Sequence, residues 1–550
     1  MTTQNADTCP VGSALPVNRR RLMQMLGVGG GTLLSGLPFP LAKAQARKDT
    51  LVIGLDISDA GAVTPDPARM NFYTPPLTTR TVYETLITLK PGHYETLEPL
   101  LAESWQPTSD GKGYRFKLRP NVKFVSGATM TAEDVKFSFD RLVNVKEQPS
   151  QYADNLGSVE VIDPLTVDVF LHNPDLPLLS ILTAPSCGIY EKKVAMANGA
   201  TADVNAKSTD KAAAWFGTTS CGTGPYQLVT WERNVQVGMV RNPHYWNGKP
   251  GFERIVIRHI SDGGTQMLAL RRGDIDVAFN LSPEQLNAVK DDPNIAIEAE
   301  PSFDYVYMAL TSSAELNPHL AKKEARQAIA WGIDYDGIRN SLFGGAGVRP
   351  ASFVPYGIGG SSKEFVEQAQ YRLDPAKAKE CLAKAGLPDG FEFDMSYGSA
   401  AIAGASFPVI TQKLQSDLAK VGIKVNLKPM DYANLRTVYY QGKASTVVLS
   451  WNLNAVEPWL WASAALDRVA KRLHWAVPDS IRQALARAAA ERDKAKQEAL
   501  YREFQKALID QANLLVLLQP TYRVAVRKHV KDFKVTAAGW MAELSSARPG

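Results

Sequence analysis

The sequence predicts an α/β protein built from more than one lobe. Three observations carry this. With 550 residues the chain is too long for a single hydrophobic core. Residues 97–142 read as a strand, a turn and a capped helix. Between residues 373 and 449, helical stretches alternate with strand-like runs in a βαβ rhythm that implies a mixed sheet.

Each element follows from local pattern. Residues 50–55 form a short apolar strand, and Pro65, Pro67, Pro75 and Pro76 then mark a loop. Residues 80–89 read as a helix and turn. Tyr114, Phe116 and Leu118 alternate with Arg115, Lys117 and Arg119, the period of a half-buried strand that Pro120 ends. Ser126-Gly127 is a turn, and Thr131 with Asp134 forms a capping box. Val135, Phe139 and Leu142 then place one apolar stripe on a helix. Residues 159–171 predict strand, turn and strand about Asp163-Pro164. Residues 195–214 predict a surface loop or helix, residues 267–279 a helix, a Gly273-Asp274 turn and a strand. Residues 322–331 and 375–385 are helical, the second stopped by Gly386. Strands at 391–396, 423–427 and 446–449 alternate with helices at 410–421 and 432–441. Residues 480–510 predict a long helix or helix pair, followed by strands at 514–518 and 522–526.

Composition bounds the function. Hydrophobic content of 45% and charged content of 21% are those of an ordinary globular protein. The formal charge is +5, but Arg19, Arg20, Arg21 and Lys43 against Asp7 place much of it in residues 1–46. Too little remains to argue for nucleic acid or an anionic membrane surface. Those first 46 residues read as an export signal of the twin-arginine type (Arg19-Arg20-Arg21-Leu22-Met23). A glycine-rich, weakly apolar stretch follows, with a small-x-small cleavage pattern ending at Ala46. The expected location is therefore the periplasm. Of the four cysteines, Cys9 leaves with the signal. Cys187 and Cys221, each beside small residues, are the candidate disulfide, and Cys381 lies on an amphipathic helix.

Catalytic chemistry finds little support. There is no HExxH, GxSxG or CxxC, and the seven histidines lack metal-ligand spacing. His244 and His259 read as surface or packing residues. Gly27-Val28-Gly29-Gly30-Gly31 has neither a preceding strand nor a following Lys-Ser/Thr, and Asp274 with Asp276 reads as a turn into a strand. No enzyme activity, cofactor or metal is expected.

The string LEPLLAESWQPTSDGKGYRFKLRPNVKFVSGATMTAEDVKFSFDRL at 97–142 resembles the signature segment of the family-5 periplasmic solute-binding proteins. These are the peptide- and nickel-binding receptors of ABC importers. Further stations follow in order: GTGPYQLVTW at 222–231, RNPHYWNGKP at 241–250, MLALRRGDIDVAF at 267–279, ARQAIAWGIDYDGI at 325–338, LDPAKAKECLAKAG at 373–386 and YREFQKALIDQANLLVLLQ near the C-terminus. The resemblance implies a two-lobed periplasmic-binding-protein fold of type II, with the ligand between the lobes. It implies lobe I over 47–280 with an extra subdomain at about 85–215, lobe II over 281–515, and a return to lobe I over 516–550. The chain is expected to cross between lobes near 280 and near 515.

Candidate ligand contacts come from aromatics. Trp451, Trp459 and Trp461 cluster among Asn452, Asn454, Glu457 and Pro458, and Tyr305 and Tyr307 lie on a strand. Closely spaced rings and amides at a strand end suit a pocket wall. Trp451, Asn454, Glu457, Tyr305 and Trp459 are taken as the candidate ligand-binding residues. In the peptide receptors this string carries an aspartate that pairs with the ligand's α-ammonium. Here that position is Asn454, and a buried ammonium without a counter-charge is costly. Either Glu457 or another acid takes over, or the ligand lacks a free α-amino group. The second is favoured: a blocked or modified peptide, an opine-like or sugar-like molecule, or a metal chelate. The expected function is capture of a peptide-like or other small organic solute and delivery to an inner-membrane ABC permease, by a monomer that binds no nucleic acid. The alternative is a periplasmic chaperone or sensory solute receptor on the same scaffold.

Overall fold

In the computed structural model, residues 49–58, 64–70, 74–90, 92–147, 149, 153, 155–369, 371–453 and 455–550 are described. Arg19, Arg20 and Ala46 of the expected signal, and the pocket candidate Asn454, lie outside the described residues. The chain begins with β1 (Thr50–Leu55) and α1 (Thr74–Val82). Pro75 and Pro76, expected in a loop, instead fall in the first turn of α1. There the missing N–H costs nothing, because those donors have no intrahelical partner.

A hairpin, β2 (Ile87–Lys90) and β3 (His93–Pro99), leads into the extra subdomain. Its strands are β4 (Ala102–Pro107), β5 (Gly113–Leu118), β6 (Leu156–Asp163) and β7 (Thr166–Leu171), ordered β4-β5-β7-β6 and antiparallel throughout. The helix α2 (Ala132–Val145) packs its apolar stripe, Val135, Phe139 and Leu142, into the same core as Phe116 and Val167. The capping box forms: the Asp134 carboxylate accepts the Thr131 N–H at 2.9 Å. Arg141 was not singled out in the sequence, yet it is fully buried. It donates to Asp66 at 2.7 Å and to Asp210 at 2.7 Å, tying two distant segments to α2.

The chain then rejoins β1 through β8 (Tyr226–Glu232), β9 (Gln236–Arg241), β10 (Arg254–His259), α3 (Gly263–Arg272), β11 (Val277–Ala278) and β12 (Ile295–Pro301). The GTGPY station explains itself here. A Cβ on Gly222 would lie 2.1 Å from the Val82 carbonyl oxygen, and one on Gly224 2.7 Å from that of Thr81. The loop therefore runs against the end of α1 at a distance only glycine allows. Thr223 then reaches buried Glu84, which also accepts from Trp246 and Tyr245.

The second lobe contains β13 (Tyr305–Leu310), α4 (Lys323–Gly332), α5 (Pro375–Lys384), β14 (Phe391–Gly398), α6 (Phe407–Ala419), β15 (Ile423–Met430), α7 (Tyr432–Tyr440), β16 (Thr446–Trp451), α8 (Pro458–Ala464), α9 (Asp479–Ala490) and α10 (Lys494–Gln511). Its sheet runs β15-β14-β16-β13, with the parallel pairs expected of βαβ units. The long strand β17 (Leu514–Arg527) serves both lobes. Its first half pairs with β13, and its second half pairs with β11 and β12.

This pairing moves the first crossing. Residues 281–301, expected in lobe II, pair and pack with lobe I: Leu281, Leu286, Val289 and Ile295 share a core with Val52 and Leu270. The crossing falls at residues 302–304, between β12 and β13. Local pattern gives no expectation of a strand at residues 295–301, nor of which sheet would receive it. The two crossing segments are bonded to each other. Ser302 donates its N–H and its hydroxyl to the Pro520 carbonyl, at 3.1 and 2.8 Å, and Gln519 donates to the Ser302 carbonyl at 2.6 Å.

The expected disulfide is absent: Cys187 and Cys221 are both free and buried. Cys187 packs in the core of the extra subdomain with its thiol toward the Ile181 carbonyl, whereas Cys221 packs in the lobe I core with Tyr83 and Tyr190. Burial pushes both thiols up, Cys187 to about 12, so both stay protonated and unreactive.

Candidate functional site

The segment after β16 is built by its termini. Trp451 ends the strand, and Glu457 is the N-cap of α8, with Pro458 in the first turn. Trp451 and, beyond Glu457, Trp461 present their rings to β13 and to the loop carrying Phe353. Trp451 lies 5.1 Å from Phe353 and 6.1 Å from Tyr307, centroid to centroid. Tyr305 lies 5.3 Å from both Phe353 and Trp461. Tilted and edge-on ring pairs of this kind add about 0.5–1.5 kcal/mol each beyond their burial. The wall is thus a rigid aromatic set.

The polar groups of this wall divide into used and unused. Tyr305 is fully buried and donates its hydroxyl to the Phe353 carbonyl at 2.7 Å, and the Tyr307 hydroxyl lies 3.2 Å from that of Tyr439. Burial raises the pKa of each of these tyrosines, so they act as neutral donors. Both carboxylate oxygens of Glu457 are engaged. One accepts the Trp459 N–H at 3.2 Å, and the other accepts the Ser180 hydroxyl of the extra subdomain at 2.6 Å. Desolvation raises its pKa, opposed by these two bonds. Trp451 Nε1, Asn452 Nδ2 and Trp461 Nε1 are buried and have no hydrogen-bond partner.

The sequence candidates are therefore sorted. Trp451 and Tyr305 come together through Phe353. Trp459 does not join them. It lines a separate groove of about 390 Å³ with Asn173, Leu176 and Leu466, because residues two apart on a helix face different ways. Trp461 is the ring that α8 turns toward Tyr305, and its fully buried position marks it as part of the wall. Phe353 sits in a loop without periodicity, and no local signal identifies it. Among the described residues, no three His, Cys, Asp or Glu side chains gather as a metal site, and no helix is long and apolar enough to cross a membrane.

The family model for bacterial extracellular solute-binding proteins, family 5, matches residues 96–467. The chain belongs to this family. Its members bind solutes and are not enzymes, and this family-5 protein is the solute-binding component of an ABC transporter. It is 30% identical over 504 residues to the "Probable D,D-dipeptide-binding periplasmic protein DdpA" of Escherichia coli K12, covering 90% of this chain and 93% of that one. It is 27% identical over 528 residues to di/tripeptide-binding protein 2 of Pseudomonas aeruginosa, covering 90% and 94%. Among solved structures, the dipeptide-binding protein of Pseudoalteromonas in complex with Met-Leu superposes with a TM-score of 0.78 at 22% identity, covering 91% of this chain and all of that one. The binding protein AgaA of A. tumefacien R10, in complex with agropinic acid, gives 0.75 at 24% identity, covering 91% and 99%. These two establish the two-lobed type II fold of this family-5 protein.

Proposed function

We propose that this family-5 protein captures a peptide-derived solute whose N-terminal amine is blocked or absent, and hands it to an inner-membrane permease. The observation that carries the reading is the occupancy of Glu457. It was the acid placed to replace the aspartate of the peptide receptors, yet its two oxygens serve the Trp459 N–H and the Ser180 hydroxyl. With Asn454 at the aspartate position, the one carboxylate of residues 451–458 is Glu457, whose two oxygens are already engaged. The names of the relatives, which bind D,D-dipeptides and di- or tripeptides, support a peptide-derived ligand. The Arg19-Arg20 pair and the Ala46 cleavage pattern support export by the twin-arginine route, and the receptor is proposed to work as a monomer in the periplasm. Trp451 and Tyr305 are proposed as ligand-facing residues, with Glu457 reassigned to holding the wall.

Native mass spectrometry of the protein purified from its own periplasm tests this. A retained small molecule with a peptide bond and no primary α-amine is the expected result. A retained free-amino peptide, or binding to unfolded proteins with no small molecule, overturns it. Asn454→Asp should improve binding of unmodified dipeptides about tenfold, the effect of one charge-assisted hydrogen bond, measured by calorimetry.

A further inference from the structure

We infer that the wall formed by residues 451–461 recognises a carbonyl-bearing blocking group, of the N-acyl class, through three N–H donors: Trp451 Nε1, Asn452 Nδ2 and Trp461 Nε1. This rests on the peptide-derived reading above and names the chemistry that the wall selects.

The argument is one of balance between donors and acceptors. All three donors are buried without a partner, and Trp461 as a whole is fully buried. Buried N–H groups in native proteins are nearly always paired, and one left unpaired is costly. Three lie within eleven residues of sequence. Two of their rings are joined through Phe353 and Tyr305, so they belong to one wall.

None of the acceptors of the wall reaches them. The Glu457 oxygens hold the Trp459 N–H and the Ser180 hydroxyl, and the Tyr305 hydroxyl is directed to the Phe353 carbonyl. An indole N–H can only donate, and an ammonium likewise has three donors and no acceptor. A free N-terminus would set donors against donors. An acyl carbonyl brings an oxygen with two lone pairs, and its methyl or methylene group suits the rings around it. A site whose buried polar groups are left unpaired by the wrong ligand discriminates strongly against that ligand.

The test uses the full mature protein and two probes: an equimolar library of free dipeptides, and the same library after N-acetylation. Binding is read by native mass spectrometry and then by calorimetry on the best members. The expected result is that acetylated members bind at least about tenfold more tightly than their free counterparts, the effect of one lost buried hydrogen bond. Trp451→Phe and Trp461→Phe keep a ring and remove the N–H, and each should reduce that ratio severalfold. Asn452→Asp replaces a donor by an acceptor at a half-buried position, and should reverse the preference toward free amines. The ratio is measured within one folded sample, so a loss of yield does not mimic the effect. Equal binding of both libraries overturns the inference and the blocked-amine part of the proposed function, and leaves only a peptide ligand standing. A ratio unchanged in all three variants also overturns it. Binding of neither library removes the peptide-derived reading and the inference with it.

Discussion

Asp304 sits where the chain first passes between lobes, fully buried. One carboxylate oxygen accepts the Tyr522 hydroxyl from the other crossing strand, and the second has no partner. Desolvation raises its pKa to about 7 against the lowering effect of that hydrogen bond, so below neutrality the folded protein holds a proton there that the unfolded chain releases. The sign follows from linkage. The folded state binds more protons, so the contribution to stability is complete below the ordinary carboxylate pKa and is lost as pH rises to about 7. Asp304→Asn keeps an acceptor for Tyr522 and removes this titration. The variant should therefore gain on the parent by roughly 2–3 kcal/mol between pH 5 and pH 8. Urea unfolding of both proteins at the two pH values measures it, and a difference that does not change with pH would refute the assignment.

At the scale of elements, the Gly222 loop shows how close packing makes a sequence legible. The GTGPY station was read only as a resemblance, but its cause is steric. Gly222→Ala forces a methyl group against the Val82 carbonyl oxygen and should cost about 1–3 kcal/mol or more, seen as a lowered Tm. The conservative Thr223→Ser should cost less, since its hydroxyl still reaches Glu84. Local pattern was readable at several elements. The capping box at Thr131, the strands about Asp163-Pro164, the Gly273 stop with its φ of 77°, and the helix pair of residues 479–511 all appear as expected. What sequence could not supply was partnership between distant residues. β12 went unread, because the far half of β17 that makes it a strand lies more than 200 residues away. Glu457 looked like a ligand acid because Ser180, 277 residues away, is invisible to any local window. The tryptophans of α8 were legible as a cluster, but which one faces Tyr305 depends on how the helix is turned, and that is set by packing. Arg141 was hidden for the same reason: a charge on the helix next to an apolar stripe reads as surface until Asp66 and Asp210 arrive to bury it.

Over the whole molecule, the Ser180–Glu457 hydrogen bond couples the extra subdomain to the second lobe. It joins a short hydroxyl bond to a carboxylate that also caps α8, so lobe contact and the orientation of the aromatic wall share one residue. Two exposed ion pairs bridge the same boundary, Arg492 to Asp175 and Lys494 to Glu95. Their energetic weight differs. Solvent-exposed pairs contribute about 0–1 kcal/mol, whereas a partly buried hydrogen bond to a charged group contributes about 1.5–3 kcal/mol. The buried bond should therefore govern opening. Lobe closure in such receptors is a shift between two populations, and a contact made only in the closed form slows release without altering encounter. Ser180→Ala should accelerate dissociation of the co-purified solute about tenfold or more, with the association rate nearly unchanged, followed by stopped-flow tryptophan fluorescence. Arg492→Ala should change either rate by less than about fivefold, and raising the salt concentration should affect only the parent's exposed pairs. If Ser180→Ala releases solute at the parent's rate, the bond is packing and not a latch. If it slows association as strongly as it speeds release, Ser180 acts on the solute's entry and not on the closed state.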